Sequence, residues 1–291
     1  MTTESSTRPV YVSSTSFQSR DLKAILDACE EGRLEALELS ALAGDLTLLG
    51  GRRYPSQYLL HNYYAQEEPP FVLNLASQDT AALERSRAYC RSAIDLSHEL
   101  GGAVYAAHAG YTTDLPPDAL GDPARQGTLP ADRFASRDDA YFTLVESARE
   151  LAAYARDRGV RFLIENHVLA TEAGEPGAEL LLGVEPSELQ RLIRDVGIPE
   201  FGLLLDAGHL KVSAATLGFD PVLALTALAP WIGALHLSDN DGIADAHAPF
   251  TDDAWFLPKL REAPDATVTI ELDRQPIERI ADVRATVARW L

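Results

Sequence analysis

Phe201-Gly202-Leu203-Leu204-Leu205-Asp206-Ala207-Gly208-His209 decides the reading of this chain. Leu203, Leu204 and Leu205 form a short apolar run without alternation. Such a run suits a strand covered on both faces, as in a parallel sheet. It stops at Asp206, and Ala207 and Gly208 separate that carboxylate from His209. A carboxylate at the tip of a buried strand is unfavourable unless something pairs with it. A metal ion is one such partner, with a nearby His as co-ligand. The competing reading makes Asp206 the cap of a following helix, with His209 in its first turn. The stretch alone leaves both open.

Three further stretches repeat the pattern. Phe162-Leu163-Ile164 ends in Glu165, followed by Asn166 and His167. Ala234-Leu235 leads into His236, then Leu237-Ser238-Asp239-Asn240-Asp241-Gly242. Val268-Thr269-Ile270 ends in Glu271. Neighbouring runs are separated by enough chain for one helix. Helix caps alone do not explain strand after strand ending in an oxygen or nitrogen ligand.

Outward from these, the chain reads as alternating strands and helices. Strands are expected over residues 10–13, 34–39, 57–60, 103–107, 160–165, 202–206, 232–237 and 267–271. Helices are expected over 21–31, 80–100, 138–158, 187–196, 221–229, 252–261 and 277–291. Residues 71–77 either extend the third strand or cross the barrel mouth. Glu38 lies inside an apolar strand, where it faces the barrel interior or pairs with an Arg. Two long loops, over 112–136 and 167–185, have the length of functional segments. Strict βα alternation over 291 residues, with no linker or composition break, argues for one (β/α)8 TIM barrel over 1–291. An open doubly wound sheet would bring a Gly-rich phosphate loop after the first strand, and Ser13-Ser14-Thr15-Ser16 has no glycine. No nucleotide cofactor is expected.

Composition narrows the function. The net charge is −19, from 25 basic and 44 acidic residues, which opposes binding to a polyanion because phosphate contacts need Lys and Arg. No apolar run is long enough to span a bilayer, and residues 1–8 lack the apolar core of a signal peptide. A cytoplasmic enzyme of small molecules is the simplest expectation; a homo-oligomer is allowed but not specified. Cys29 and Cys90 belong to no short-spaced metal or redox motif and read as buried thiols.

In a barrel, active sites form at the C-terminal ends of the strands. His61, His108, Glu165, Asp206, His236 and Glu271 all fall there, so residues distant in sequence would converge. Together, Glu165-Asn166-His167, Asp206-Ala207-Gly208-His209, His236 through Gly242 and Glu271 resemble the xylose isomerase-like barrel superfamily. That group includes sugar and sugar-phosphate isomerases, ketose 3-epimerases and endonuclease IV. The resemblance covers nearly the whole chain in strand order.

The epimerase branch implies one divalent ion on Glu165, Asp206, His236 and Glu271. His209 would contact substrate, and the two glutamates would act as acid and base. The endonuclease branch implies a three-zinc set that adds His61, His108, Asp245 and His247, a pattern that Tyr64 also fits. It would activate water for phosphoester hydrolysis. The acidic balance and the glutamates of the 65–70 insert speak against DNA as the substrate. The expectation is therefore a metal-dependent isomerase or epimerase of a sugar, sugar phosphate or related polyol, with the multinuclear hydrolase as the alternative. Metal ligands are expected among Glu165, Asp206, His236, Glu271, His108, His61, His209, Asp245 and His247, and substrate contacts among His209, His167 and Tyr64. Mixed carboxylate and imidazole ligands suit Mn, Co, Fe or Zn. His98 reads as structural, and Lys211 and Arg137 as salt-bridging.

Overall fold

A computed structural model describes residues 8–50, 53–65 and 68–291. The expectation for residues 1–8 lies outside these except at Arg8, as does Glu67 of the 65–70 insert. Eight parallel strands close into a barrel: β1 Val10–Ser13, β2 Ala36–Leu39, β3 Gln57–His61, β4 Val104–His108, β5 Arg161–Glu165, β6 Gly202–Asp206, β7 Ile232–Leu237 and β8 Thr267–Ile270. Each pairs with the next, and β1 closes on β8 with Val10 opposite Val268 and Val12 opposite Ile270. The helices are α1 Leu22–Gly32, α2 Thr80–Glu99, α3 Pro123–Gln126, α4 Arg137–Arg156, α5 Gly174–Leu180, α6 Pro186–Val196, α7 Ala207–Leu217, α8 Pro221–Leu228 and α9 Ile277–Ala288. Among the described residues, no helix is long and apolar enough to cross a membrane.

The pleat explains the apolar runs. Tyr11, Ala36, Leu59, Ala106, Leu163, Leu204 and Ala234 form one buried cluster, contributed by successive strands. Leu37, Leu39, Leu60, Tyr105, Ala107, Phe162 and Ile164 belong to a different cluster, built with α1, α2 and α4. Leu203, Leu205, Leu235, Leu237, Val268 and Ile270 pack with α8 and α9. Both faces are thus buried, and alternation disappears. Side chains two residues on from the interior cluster point to the same face. Those positions are Ser13, Glu38, His61, His108, Glu165, Asp206 and His236.

Several expectations need correction. Residues 252–261 form no α-helix; a 3-10 helix spans Leu257–Glu262. Pro258 lies inside the expected helix, where its ring would clash with the carbonyl of Ala254 and remove a donor. The crossover from β2 to β3, where no helix is expected, carries only a 3-10 helix, Leu46–Leu49, among the described residues. Residues 71–77 add no strand. The Asn74 side chain organises them instead, with Oδ1 accepting from the Ala76 and Tyr111 N–H groups at 3.0 and 2.9 Å. On α2 the buried face runs through Ser86, Tyr89, Cys90, Ala93, Ile94 and Ser97, while Ala88 is exposed. Ser86 is buried because its hydroxyl accepts from Asn74 N–H and donates to the Ala82 carbonyl.

Candidate metal centre

Asp206 meets the cap reading of its stretch and leaves one carboxylate oxygen without a partner. Its Oδ1 accepts from His209 N–H at 2.7 Å and caps α7, which begins directly at the strand end. Its Oδ2 is fully buried with no hydrogen-bond partner. Gly208 is required by this close start: a Cβ there would lie 2.7 Å from Ser238 Oγ. Asn166 ties the neighbouring strand to it. Asn166 Oδ1 accepts from Asp206 N–H at 2.8 Å, and Nδ2 donates to the Asp206 carbonyl at 3.2 Å. His209 Nδ1 donates to the Asn166 carbonyl at 2.8 Å, and its Nε2 lies 3.1 Å from Asp245 Oδ2. His247 Nε2 lies 2.9 Å from the same oxygen. The His247 backbone sits in the left-handed region, φ 41°, a conformation that L residues adopt at some expense and that clusters at functional sites.

Glu165 occupies the middle. Its Oε2 lies 3.1 Å from His61 Nε2 and 2.9 Å from His108 Nε2. His236 Nδ1 lies 2.9 Å from Glu271 Oε2, while its Nε2 lies 3.0 Å from Glu38 Oε1. Thr269 donates to Glu38 Oε2 at 3.1 Å. Glu38 therefore faces the interior and pairs with a His, not an Arg. Ser13 and Thr15 donate to Glu271 Oε1 at 3.4 and 3.2 Å.

Three groups place their ligand atoms within 4.8 Å of one another: His61, Glu165 and His236; Glu165, Asp206, His236 and Glu271; and His209, Asp245 and His247. Including His108, every expected ligand side chain is brought to one site. The donor set, with an orphaned buried carboxylate oxygen at its centre, fits a divalent cation.

The charge state follows from crowding. Burial opposes ionisation of Glu165, yet the imidazoles of His61 and His108 outweigh it and hold the carboxyl well below the usual range. Burial likewise disfavours charged His236 and His209. Glu38 and Glu271 around the first, and Asp206 and Asp245 around the second, raise both well above the ordinary value. His247 is raised to about 9 against burial, chiefly by Asp245. Burial pushes Asp206 upward, with Asp245 and Glu165 adding repulsion that His209 only partly offsets. Protons on imidazoles thus supply the counter-charge within this cluster of carboxylates.

The family model for the xylose isomerase-like TIM barrel matches residues 35–291. The chain belongs to that family. Among solved structures, a D-tagatose 3-epimerase-like protein superposes with a TM-score of 0.70 at 20% identity, covering 97% of this chain and 96% of that one. An L-ribulose 3-epimerase gives 0.63 at 16% identity, covering 97% and 91%. The TTHB071 protein from Thermus thermophilus, soaked with ZnCl2, gives 0.58 at 21%, covering 97% and 98%. The uncharacterized protein MJ1311 of Methanocaldococcus jannaschii is 24% identical over 195 residues, 67% of this chain. That alignment spans only 55% of MJ1311.

In this xylose isomerase-like barrel, a cavity of about 560 Å³ opens onto His61, His108, Glu165, His209, Asp245 and Glu271. His167 lines it too. Its Nδ1 donates to the Leu182 carbonyl at 2.8 Å, so Nε2 is an acceptor, buried and without a partner. Burial, with His108 adding repulsion, lowers its pKa to about 3, so the ring is neutral. Tyr64 is not among the lining residues. It packs on Tyr89, ring centroids 5.1 Å apart, and the wall position belongs to Tyr63. The sequence signal for Glu38 was a charge inside an apolar strand; for Tyr63 there was none beyond its place after a strand. Lys211 bridges to Asp239 at 2.7 Å and Arg137 to Glu188 at 2.8 Å, as their surface reading implied. His98 Nδ1 lies 2.7 Å from the Arg158 carbonyl, in keeping with a structural role.

Proposed function

We propose that the protein is a divalent-metal-dependent enzyme of small, carbohydrate-like molecules, holding more than one ion and acting as a phosphoester hydrolase. The observation that carries this reading is Glu165 Oε2, which sits between His61 Nε2 and His108 Nε2 at 3.1 and 2.9 Å. A carboxylate so placed is a bridge between ligand groups and is poorly disposed to work as a free base. When bound, such ions polarise a phosphoryl oxygen and acidify a water. The chain's own part is to fix the ligands. Asp245 and His247 come from the loop after β7, His209 from the first turn of α7, and Glu165 from the tip of β5. His167 Nε2 would accept a hydrogen bond from a substrate hydroxyl.

A second reading, a sugar isomerase or epimerase, is favoured by Glu165 and Glu271 standing in one group with Asp206 and His236. There one carboxylate would remove a proton from carbon and the other deliver one. The two are separated by assaying the metal-loaded protein on phosphomonoesters and phosphodiesters and, in D2O, on ketoses. Phosphate release without deuterium incorporation supports hydrolysis. Deuterium at the carbon beside the carbonyl, with no phosphate release, supports the second reading and sinks the first.

Glu38 is assigned to hold the His236 ring through its Nε2. Glu38→Gln is expected to weaken metal affinity about 10- to 100-fold, and Glu38→Asp to recover part of it. Unchanged affinity by competition with a chromophoric chelator would remove this role. Metal uptake is also expected to depend on pH. His209, His236 and His247 hold protons in the metal-free protein, the last up to a pKa of about 9. These pKa values are raised, so ions and protons compete up to that range. Affinity should rise about tenfold per pH unit for each proton displaced; a flat profile between about pH 6 and 8.5 would contradict it.

A further inference from the structure

The cavity over the proposed ligands has a neighbour. A second cavity of about 380 Å³ shares Tyr63 and Leu120 with it and is walled further by Phe71, Val72 and Pro117. Together they fall within the size range of ligand pockets; the clustered titratable groups line the first, while the second is walled mostly by apolar side chains, with Glu68 the exception. The Tyr63 hydroxyl is engaged by the Leu73 backbone N–H. Charge is the deciding feature. Among the described residues no Lys or Arg lines either cavity, while Glu68 lines the second and Glu172 the first. Arg85 stacks on the Phe71 ring at 3.9 Å and donates to the Pro69 carbonyl at 2.7 Å, and it is not part of the wall. A phosphate or carboxylate remote from the metal ligands would stand near the exposed carboxylates of Glu68 and Glu172, with no Lys or Arg among the described lining residues to pair with it.

We propose that the substrate is amphiphilic: an oxygen-rich head lies on the metal ligands, and an uncharged, apolar body lies in the cleft of Tyr63, Phe71, Val72, Pro117 and Leu120. This rests on the proposed reading that metal held by the clustered carboxylates and imidazoles around Glu165 takes the head. It excludes sugars phosphorylated at the far end and leaves esters or polyols bearing an aliphatic or aromatic group. The unpartnered Nε2 of His167, a residue of the larger cavity's wall, would receive a hydroxyl of the head.

The test uses metal-binding heads of graded length on the Mn-loaded protein, by calorimetry: acetohydroxamate, 4-phenylbutyrohydroxamate and the monohydroxamate of succinate. The phenyl extension is expected to tighten binding about tenfold or more over acetohydroxamate, from the apolar area it buries. The anionic extension should give no gain. Val72→Asp and, independently, Leu120→Asp should erase the phenyl gain while acetohydroxamate binds as before, which also shows that the variants fold. If acetohydroxamate binds but the phenyl group adds nothing, or the carboxylate adds more, the apolar cleft is refuted and the metal reading stands. If no hydroxamate binds the loaded protein, the head-group reading fails and the proposal fails with it.

Discussion

Glu165→Gln is expected to leave a folded barrel that takes up little metal and to lower turnover by roughly a thousandfold or more. Glu165 belongs to two of the three ligand groups, and its Oε2 also faces His108 at 2.9 Å. Asp206 and Glu271 each belong to one group, so Glu165 links more donors than either. The amide keeps the volume of the carboxylate, so the packing of β5 against β4 and β6 should survive. It removes a negative charge on which ions at two positions would depend under the proposed reading, and it offers an N–H₂ where an acceptor would be needed. Elemental analysis after loading and dialysis, beside a thermal melt of the metal-free protein, separates loss of metal from loss of fold. A variant that retains the wild-type ion count and turnover would show that Glu165 is not a ligand.

Much of this site could be read from the chain because its geometry is periodic. Leu163, Leu204 and Ala234 fill the barrel interior. Period-two alternation then puts Glu165, Asp206 and His236 one step further toward the C-terminal end. Apolar runs that stop abruptly at a carboxylate or imidazole are the trace of that step. What the chain did not disclose depends on contacts between distant segments. Glu38 had two readings until β2 was placed beside the rest of the barrel, because a buried carboxylate is explained only by its partner. Tyr63 and Tyr64 are adjacent aromatics; which one meets the cavity depends on the loop over residues 68–77 that packs beside them. The expected helix over 252–261 failed at Pro258, a local signal outweighed in the reading by the flanking apolar residues. The α7 start at Asp206 was left open because one side chain serves as cap through Oδ1 and keeps Oδ2 free.

His108→Ala carries the second large effect, and it divides the two reactions. His108 Nε2 contacts Glu165 Oε2 at 2.9 Å, and Nδ1 lies 3.2 Å from Asn62 Nδ2. It belongs to none of the tight groups around Asp206 or Asp245. Its side chain is 21% exposed, so truncation opens no sealed cavity and the fold should persist. If His108 helps hold an ion of its own, the loaded wild type carries two or three ions per chain and the variant one fewer. Hydrolytic turnover should then fall roughly a hundredfold or more, since a site of this kind needs ions on both sides of the reacting group. If the wild type carries one ion and the variant keeps it, His108 serves substrate or structure. The multinuclear reading then fails, and proton transfer between Glu165 and Glu271 becomes the better account. The count is decisive because it does not depend on knowing the substrate: it asks only whether the imidazoles at Glu165 are ligands or bystanders.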